Sequence, residues 1–360
     1  MTAKERLRKK IFAGKRISPG EAESLFTWDI LELGEAADLR RRLLHPANTV
    51  GFILDRIINF TNICEAACDF CAFHARAALK PYVLSRPEII AKIEELASKG
   101  GTQVMLQGGL HPGYRLADYT GMVREIKSRF PGIRLHSFSP SELAHIAAKS
   151  SLTLDRVVTE LQDAGLDSVP GAADLLVDRI RSKVSPRKIG TAMWVEVMRS
   201  LHRHGMRSSA TMTYGLGETA GERIEHLAVV RGVQDETGIF RAFIPWSFSP
   251  KHTRLESTVP ATGLDYLKIV AVSRIFLDNI RYIQAGWLTE GLKLAQLALA
   301  MGANDMGGVL MEEKVVRATG AGAKAGMAEF IDLIKNAGKT PVLRDSDYKI
   351  LDRRPARRLK

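Results

Sequence analysis

Every cysteine of this 360-residue chain lies in one short stretch, Asn59-Phe-Thr-Asn-Ile-Cys64-Glu-Ala-Ala-Cys68-Asp-Phe-Cys71-Ala-Phe73, with the spacing Cys-x3-Cys-x2-Cys. Three thiolates on one loop can hold three corners of a cubane [4Fe–4S] cluster and leave the fourth iron open to a small molecule. A structural zinc site needs four closed ligands, and His74, three residues after Cys71, would complete a Cys3His set. A disulfide framework fits poorly, because the count is odd and nothing marks the chain for export. Three thiols with no ligand are the remaining alternative. Clustering of all the cysteines in so long a chain speaks against it.

The rest of the composition is that of a soluble globular protein: 45% hydrophobic and 26% charged. No apolar run approaches the roughly 20 residues of a membrane span. The basic start, Met1 to Arg16, is not followed by an apolar segment, so it does not read as a secretory signal. Clustered free thiols point to a reducing, cytoplasmic setting. The net charge of +12 raises the question of nucleic acid. Much of the excess sits at the two ends, in Lys4, Arg6, Arg8, Lys9, Lys10, Lys15 and Arg16, and in Arg353, Arg354, Arg357, Arg358 and Lys360. No basic stripe interleaved with aromatics joins them. Both ends are expected to be solvated tails, and nucleic acid is not the expected partner.

Residues 18–46 read as helical, opened by the capping box Ser18-Pro-Gly-Glu21. From residue 50 strand patterns alternate with amphipathic helices. Eight strands are expected, at 50–59, 103–107, 134–138, 168–170, 207–214, 241–246, 282–287 and 302–305. Such alternation predicts a parallel α/β sheet, and eight repeats predict a closed (β/α)8 barrel, with a partial barrel of six repeats as the alternative. The expected organisation is an N-terminal helical extension over 1–48, the barrel over 49–318, and a C-terminal helix, extended segment and basic tail over 319–360.

Polar and glycine residues gather after the strands, where a barrel places its chemistry. Gly108 and Gly109 allow close backbone approach to a ligand, or serve a tight turn. Glu142, Asp174 and Glu218 can take sugar hydroxyls or an ammonium group there, or cap the following helices. Trp246 and Trp287, expected to end strands six and seven, are core residues or walls of a pocket for an aromatic substrate. Asn304 and Asp305 are expected to end strand eight, with Asp305 as a substrate contact or proton acceptor. His111, His136 and His252 are weaker candidates, each readable as a neutral hydrogen-bonded histidine.

The cysteine stretch resembles that of the radical S-adenosylmethionine (SAM) enzymes. The likeness extends to Gln107-Gly-Gly-Leu-His-Pro112, His136-Ser-Phe-Ser-Pro140, Gly165-Leu-Asp-Ser168, Gln234-Asp-Glu-Thr-Gly238, Phe243-Ile-Pro-Trp-Ser-Phe248 and Gly302-Ala-Asn-Asp-Met306. These resemble the futalosine-pathway enzymes of menaquinone biosynthesis, and Pro245-Trp-Ser-Phe248 is most similar to the dehypoxanthine futalosine cyclases. The chain departs from that pattern at Gly171-Ala-Ala-Asp174 and at His74-Ala75. The resemblance implies a [4Fe–4S] cluster on Cys64, Cys68 and Cys71. It implies SAM held by Phe70, Gln107, Gly108, Gly109, Ser137, Glu142, Asp174 and Glu218. It implies a nucleoside-derived aromatic substrate held by His111, Trp246, Trp287, Asn304 and Asp305, with Asp305 as the catalytic group. The implied activity is radical cyclisation, fed by an electron donor such as flavodoxin or ferredoxin.

Overall fold

A computed structural model of the chain describes residues 1–75 and 79–352, so the basic tail from Arg353 to Lys360 lies outside the described residues. Three helices, α1 (Ala3–Phe12), α2 (Pro19–Ser24) and α3 (Ile30–Leu44), precede the first strand, β1 (Thr49–Thr61). Then follow α4 (Arg86–Ser98), β2 (Gln103–Gly108), α5 (Leu116–Arg129), β3 (Arg134–Leu135), α6 (Pro140–Ser150), α7 (Leu154–Ala164) and β4 (Ser168–Val169). The second half runs α8 (Asp178–Val184), α9 (Thr191–Arg203), β5 (Arg207–Tyr214), α10 (Ala220–Thr237), β6 (Phe240–Ser247), α11 (Gly263–Phe276), β7 (Tyr282–Ile283), α12 (Leu292–Ala298) and β8 (Asp305–Leu310). The described residues finish with α13 (Met327–Asn336), β9 (Thr340–Arg344) and β10 (Ile350–Asp352). Among the described residues no helix is long and apolar enough to cross a membrane.

β1 is the hub, pairing in parallel with β2 on one side and β8 on the other. A second parallel sheet runs β4-β5-β6-β7. Two thin seams join the sheets. At one, His136 bridges to Ser168, and the Ser137 N–H donates to the Ser168 carbonyl at 3.0 Å. At the other, Gln284 bridges to Asp305, and the Ala285 N–H donates to the Asp305 carbonyl at 2.8 Å. The eight strands therefore follow one another round a ring in chain order, with crossover helices outside. Capping boxes start several of these helices, as at Ser85 with Glu88, Thr219 with Glu222 and Thr262 with Asp265.

The first helix and the last described strands are built into the barrel's surroundings. The start is not a solvated tail: α1 buries Leu7 and Ile11. At the other end β9 pairs in parallel with the first residues of β1, and β10 folds back antiparallel onto it. This hairpin closes the ring at the N-terminal ends of the strands, opposite the mouth where the cysteines lie.

Strand eight is displaced from its expected position. Gly302 adopts φ +93° in the turn before it, and β8 begins at Asp305 and runs through Gly307-Gly308. Asp305 therefore lies at the closed end of the barrel, not at the mouth.

Candidate active site

The cysteine loop leaves the top of β1 and is pinned by three neighbouring loops. The Glu65 N–H donates to the Leu110 carbonyl at 3.0 Å, the Asp69 N–H to the Val184 carbonyl at 2.8 Å, and the Arg254 N–H to the Asp69 carbonyl at 3.0 Å. Backbone donors also face sulfur. The Leu110 N–H lies 3.3 Å from Cys64 Sγ, and the Phe73 and His74 N–H groups point at Cys71. Donors aimed at sulfur suit electron-rich thiolates bound to iron. Burial pushes the Cys68 thiol up to about 12 and raises Cys71 as well, so both need a bound cation to ionise at neutral pH.

Each thiolate of a cubane holds a different iron, so the three sulfurs need not converge on one point. Among the described residues no three His, Cys, Asp or Glu side chains do converge as a single metal ion requires. The loop fits a [4Fe–4S] cluster better than a Cys3His zinc site. Phe70, like Cys64 and Cys71, packs against the small cluster of Ala66, Cys68 and Leu110, with the Lys188 ammonium 5.7 Å from its ring centre.

Gly108 and Gly109 join the next strand to this loop. A β-carbon at Gly109 would stand 2.2 Å from the Ile63 carbonyl oxygen and 2.7 Å from the Cys64 β-carbon. One at Gly108 would stand 2.5 Å from the Phe60 ring. Glycine is required here by the cysteine loop itself, beyond any role towards a ligand. Gly109→Val should therefore lower bound iron and sulfide after anaerobic reconstitution together with SAM affinity. A variant with full iron content and weakened SAM binding would show that the ligand alone sets the requirement.

Below the loop the barrel encloses a cavity of about 350 Å³, within the range of small-molecule sites. Gln107, Asp174, Trp246 and Trp287 line it, as expected from the sequence. The Trp246 indole N–H donates to Thr213 Oγ1 at 2.8 Å, and that of Trp287 to the Gly308 carbonyl at 3.1 Å, fixing both rings. Asp174, in the left-handed region at φ +50°, accepts from Lys188 Nζ at 2.6 Å. Burial alone would lower the Lys188 ammonium; Asp174, with Cys68 nearby, outweighs it and raises it. Glu142 is buried beneath the glycines, accepting from the Gly108 N–H at 3.2 Å and from Ser139 Oγ at 2.7 Å. Burial pushes it up to about 8. A separate groove of about 590 Å³ runs between α1 and α2, lined by Lys4, Arg6, Lys10 and Trp28 among others. None of its residues belongs to a barrel strand, whereas the cavity beneath the cysteines is lined by residues of the barrel strands and the loops that follow them.

Other expected site residues are engaged elsewhere. Asp305 is fully buried in a two-pronged ion pair with Arg344 of β9, at 2.6 and 2.7 Å, and does not line the cavity. Asn304 Oδ1 accepts from Arg274 at 2.7 Å and from the Ile283 N–H at 3.0 Å, which leaves it no role towards substrate. Ser137 Oγ accepts from the Leu106 N–H at 3.0 Å inside the sheet. Glu218 accepts from the Gly215 and Leu216 N–H groups and pairs with Arg223 at 2.8 Å, so it secures its own loop. His111 packs against Tyr114, with ring centres 4.1 Å apart and the planes tilted by 39°, outside the cavity. His252 Nδ1 donates to the Ala318 carbonyl at 3.1 Å, and it too lies outside.

The lower cavity is polar, and its residues escaped the sequence reading: Asp55, Gln103, Arg241, Gln284, Arg344 and Tyr348. Arg241 donates to Ser168 Oγ at 2.8 Å and approaches His136 Nδ1 at 3.1 Å. Gln284 Nε2 donates to Tyr348 Oη at 2.7 Å. The one available signal was Asp55, a charge within the apolar run of β1.

Comparison with known proteins agrees with this geometry. Residues 58–230 match the family model of the radical SAM superfamily, and residues 237–356 match that of the CofH/MqnC C-terminal region. The chain is 41% identical over 345 residues to a cyclic dehypoxanthine futalosine synthase of Streptomyces coelicolor, covering 94% of this chain and 86% of the relative. It is 42% identical over 341 residues to the protein of the same name from Halalkalibacterium halodurans, covering 94% and 92%. It is also 42% identical over 322 residues to a 5-amino-6-(D-ribitylamino)uracil–L-tyrosine 4-hydroxyphenyl transferase of Archaeoglobus fulgidus, covering 88% and 92%. The crystal structure of methylornithine synthase shares the fold, with a TM-score of 0.74 at 20% identity, covering 93% of this chain and 97% of that one.

A barrel with three cysteines on the loop after its first strand defines a radical SAM enzyme. The chain belongs to the radical SAM superfamily, in the group that carries the CofH/MqnC C-terminal region. Its cofactors are a [4Fe–4S] cluster and SAM.

Proposed function

We propose that this chain is a dehypoxanthine futalosine cyclase of menaquinone biosynthesis. The observation that carries the reading is the cavity beneath the cysteines, walled by the two fixed indoles of Trp246 and Trp287 and polar at its base. That division matches a substrate with an aromatic ring at one end and a sugar at the other. Similarity to two synthases of that product along nearly the whole chain supports it. When bound, the cluster and SAM supply a 5′-deoxyadenosyl radical. The protein's own part is to orient, to exclude water and to manage a proton.

In this reading Glu142, buried with no cation in hydrogen-bond reach among the described residues, receives the ammonium of SAM. Asp174 and Gln107 line the cavity, Phe70 packs at the cysteine loop above it, and Cys64, Cys68 and Cys71 would each hold one iron. Trp246 packs on the benzoate-bearing ring, a contact worth about 0.5–1.5 kcal/mol beyond area burial. An electron donor of the flavodoxin or ferredoxin type supplies the reducing electron, and the enzyme works in the cytoplasm.

The equal identity to the hydroxyphenyl transferase supports a second reading, transfer of a tyrosine-derived aryl group to a ribityl-uracil. Anaerobic incubation of reduced enzyme with SAM separates the two. Dehypoxanthine futalosine should give a product lighter by two hydrogens, by mass, alongside 5′-deoxyadenosine. A coupled product from tyrosine and the ribityl-uracil, with dehypoxanthine futalosine left intact, would decide for the transferase.

A further inference from the structure

Cyclisation of an aromatic nucleoside ends with a proton to dispose of, and Asp305 cannot take it, because Arg344 occupies both of its oxygens. The carboxylates that do line the cavity are Asp55, Asp174 and Glu313. Asp174 is neutralised by Lys188. Glu313 accepts from the Val315, Val316 and Arg317 N–H groups and caps its own loop. Asp55 is different. It lines the cavity from β1, is 4% exposed, and accepts one side-chain hydrogen bond, from Gln103 Nε2 at 3.2 Å. Its other oxygen, Oδ1, is buried with no partner among the described residues.

A buried carboxylate oxygen left unpaired is costly, and the fold makes room for this one. β8 passes Asp55 with Gly308, where a β-carbon would stand 2.1 Å from Oδ1. β1 and β8 therefore leave space for a free carboxylate oxygen at the cavity wall.

We propose that Asp55 is the proton acceptor of the cyclisation. The assignment rests on the cyclase reading above. The C4′ radical of the substrate adds to a ring carbon, forming one C–C bond and leaving that carbon with both its hydrogen and the new bond. The C–H bond then breaks. Its proton passes to Asp55 Oδ1, and one electron leaves to an iron–sulfur-type one-electron acceptor, restoring the aromatic ring. Asp55 later releases the proton to solvent.

The electrostatics suit a base that works near neutrality. Burial pushes Asp55 up to about 7, while Arg344 and the Gln103 hydrogen bond oppose it and Asp305 adds to it. The other titratable groups around this part of the cavity do not compete. His136 is held neutral, well below its ordinary range, by burial and by Arg241 and Arg344. Burial lowers the Arg241 guanidinium against the opposing pull of Asp347, and burial raises Tyr348 away from neutral titration. Asp305 and Arg344 are locked together.

The test is Asp55→Asn in the full-length, anaerobically reconstituted enzyme with SAM and C4′-deuterated dehypoxanthine futalosine. 5′-Deoxyadenosine carrying substrate deuterium should still form, while cyclised product per 5′-deoxyadenosine falls about 100-fold or more. In the wild type that ratio should fall as pH drops below about 7; in the variant the pH dependence should be gone. Gly308→Ala keeps the carboxyl but crowds Oδ1, and should lower the same ratio about tenfold, so the proposal stays testable if Asp55→Asn folds poorly. An unchanged ratio in either variant beside an active wild type overturns the assignment alone. Substrate affinity lost by more than about tenfold in Asp55→Asn, read by calorimetry, also overturns it, since Asp55 would then be a binding group. A wild type that cyclises nothing overturns the cyclase reading and this assignment with it.

Discussion

Replacing any one of Cys64, Cys68 or Cys71 with Ala should abolish SAM cleavage and remove the cluster. No fourth cysteine exists to substitute for the lost ligand. The remaining two thiols sit in a loop whose fixed backbone donors already define where each sulfur lies. Burial also keeps the free thiols protonated: with Cys68 up at about 12, two sulfurs have little tendency to recruit iron unaided. Iron and sulfide content, the visible charge-transfer absorption of the reconstituted protein, and 5′-deoxyadenosine formation should all fall together. Full cleavage by an anaerobic Ala variant would remove that residue from the site. A colourless wild type holding one zinc per chain would instead restore the Cys3His alternative.

The parts of this site that were legible in the sequence are those whose chemistry is local. The cysteine spacing lies within one loop, and Gln107, Asp174, Trp246 and Trp287 sit at or just beyond strand ends that periodicity located well enough. The glycine pair was located too, although the reason for it, contact with the Ile63 carbonyl, depends on how two loops pack.

What failed to show was tertiary. Asp305 looked like a residue at the mouth because Gly307-Gly308 reads as a loop, whereas β8 carries both glycines inside the strand. The single bulge-like position at Gly307, with φ +71°, is compatible with that path and invisible to a hydrophobic pattern. The polar floor was hidden for a different reason. Arg344 and Tyr348 reach it from a hairpin some 290 residues after β1, by the register of Thr49 with Thr340, and no local signal encodes that pairing. Glu218 and Asn304 show the converse: a polar residue at a loop is as readily consumed by backbone donors as offered to a ligand.

Removing the Arg344 guanidinium should be among the most destabilising single changes outside the cluster. Arg344 and Asp305 are both buried, joined by two hydrogen bonds, and Asp305 Oδ1 also accepts from the Gly307 N–H at 2.8 Å. Burial alone would lower the guanidinium, yet Asp305 beside it holds it above its ordinary value, so Arg344 stays charged. Arg344→Met leaves a buried carboxylate without its cation, a change that costs about 3–5 kcal/mol, a large fraction of the roughly 5–15 kcal/mol that holds a domain folded. The pH dependence follows from the sign. Without Arg344 the Asp305 carboxyl is raised further above its unfolded value by burial, so the folded state favours the protonated acid. The loss should therefore be greatest at alkaline pH and shrink as the pH falls through the raised value. Asp305→Asn/Arg344→Met, which removes both charges, should recover much of the stability at pH 8. Asp305→Asn alone should destabilise the closed end of the barrel and leave the ratio of cyclised product to 5′-deoxyadenosine close to that of the wild type. Thermal melts of the four proteins at pH 5 and pH 8 read the first set of expectations, and the product ratio reads the last. A melting midpoint for Arg344→Met equal to wild type at pH 8 would show that the pair does not hold the hairpin in place. A collapse of the product ratio in folded Asp305→Asn would return the proton to Asp305.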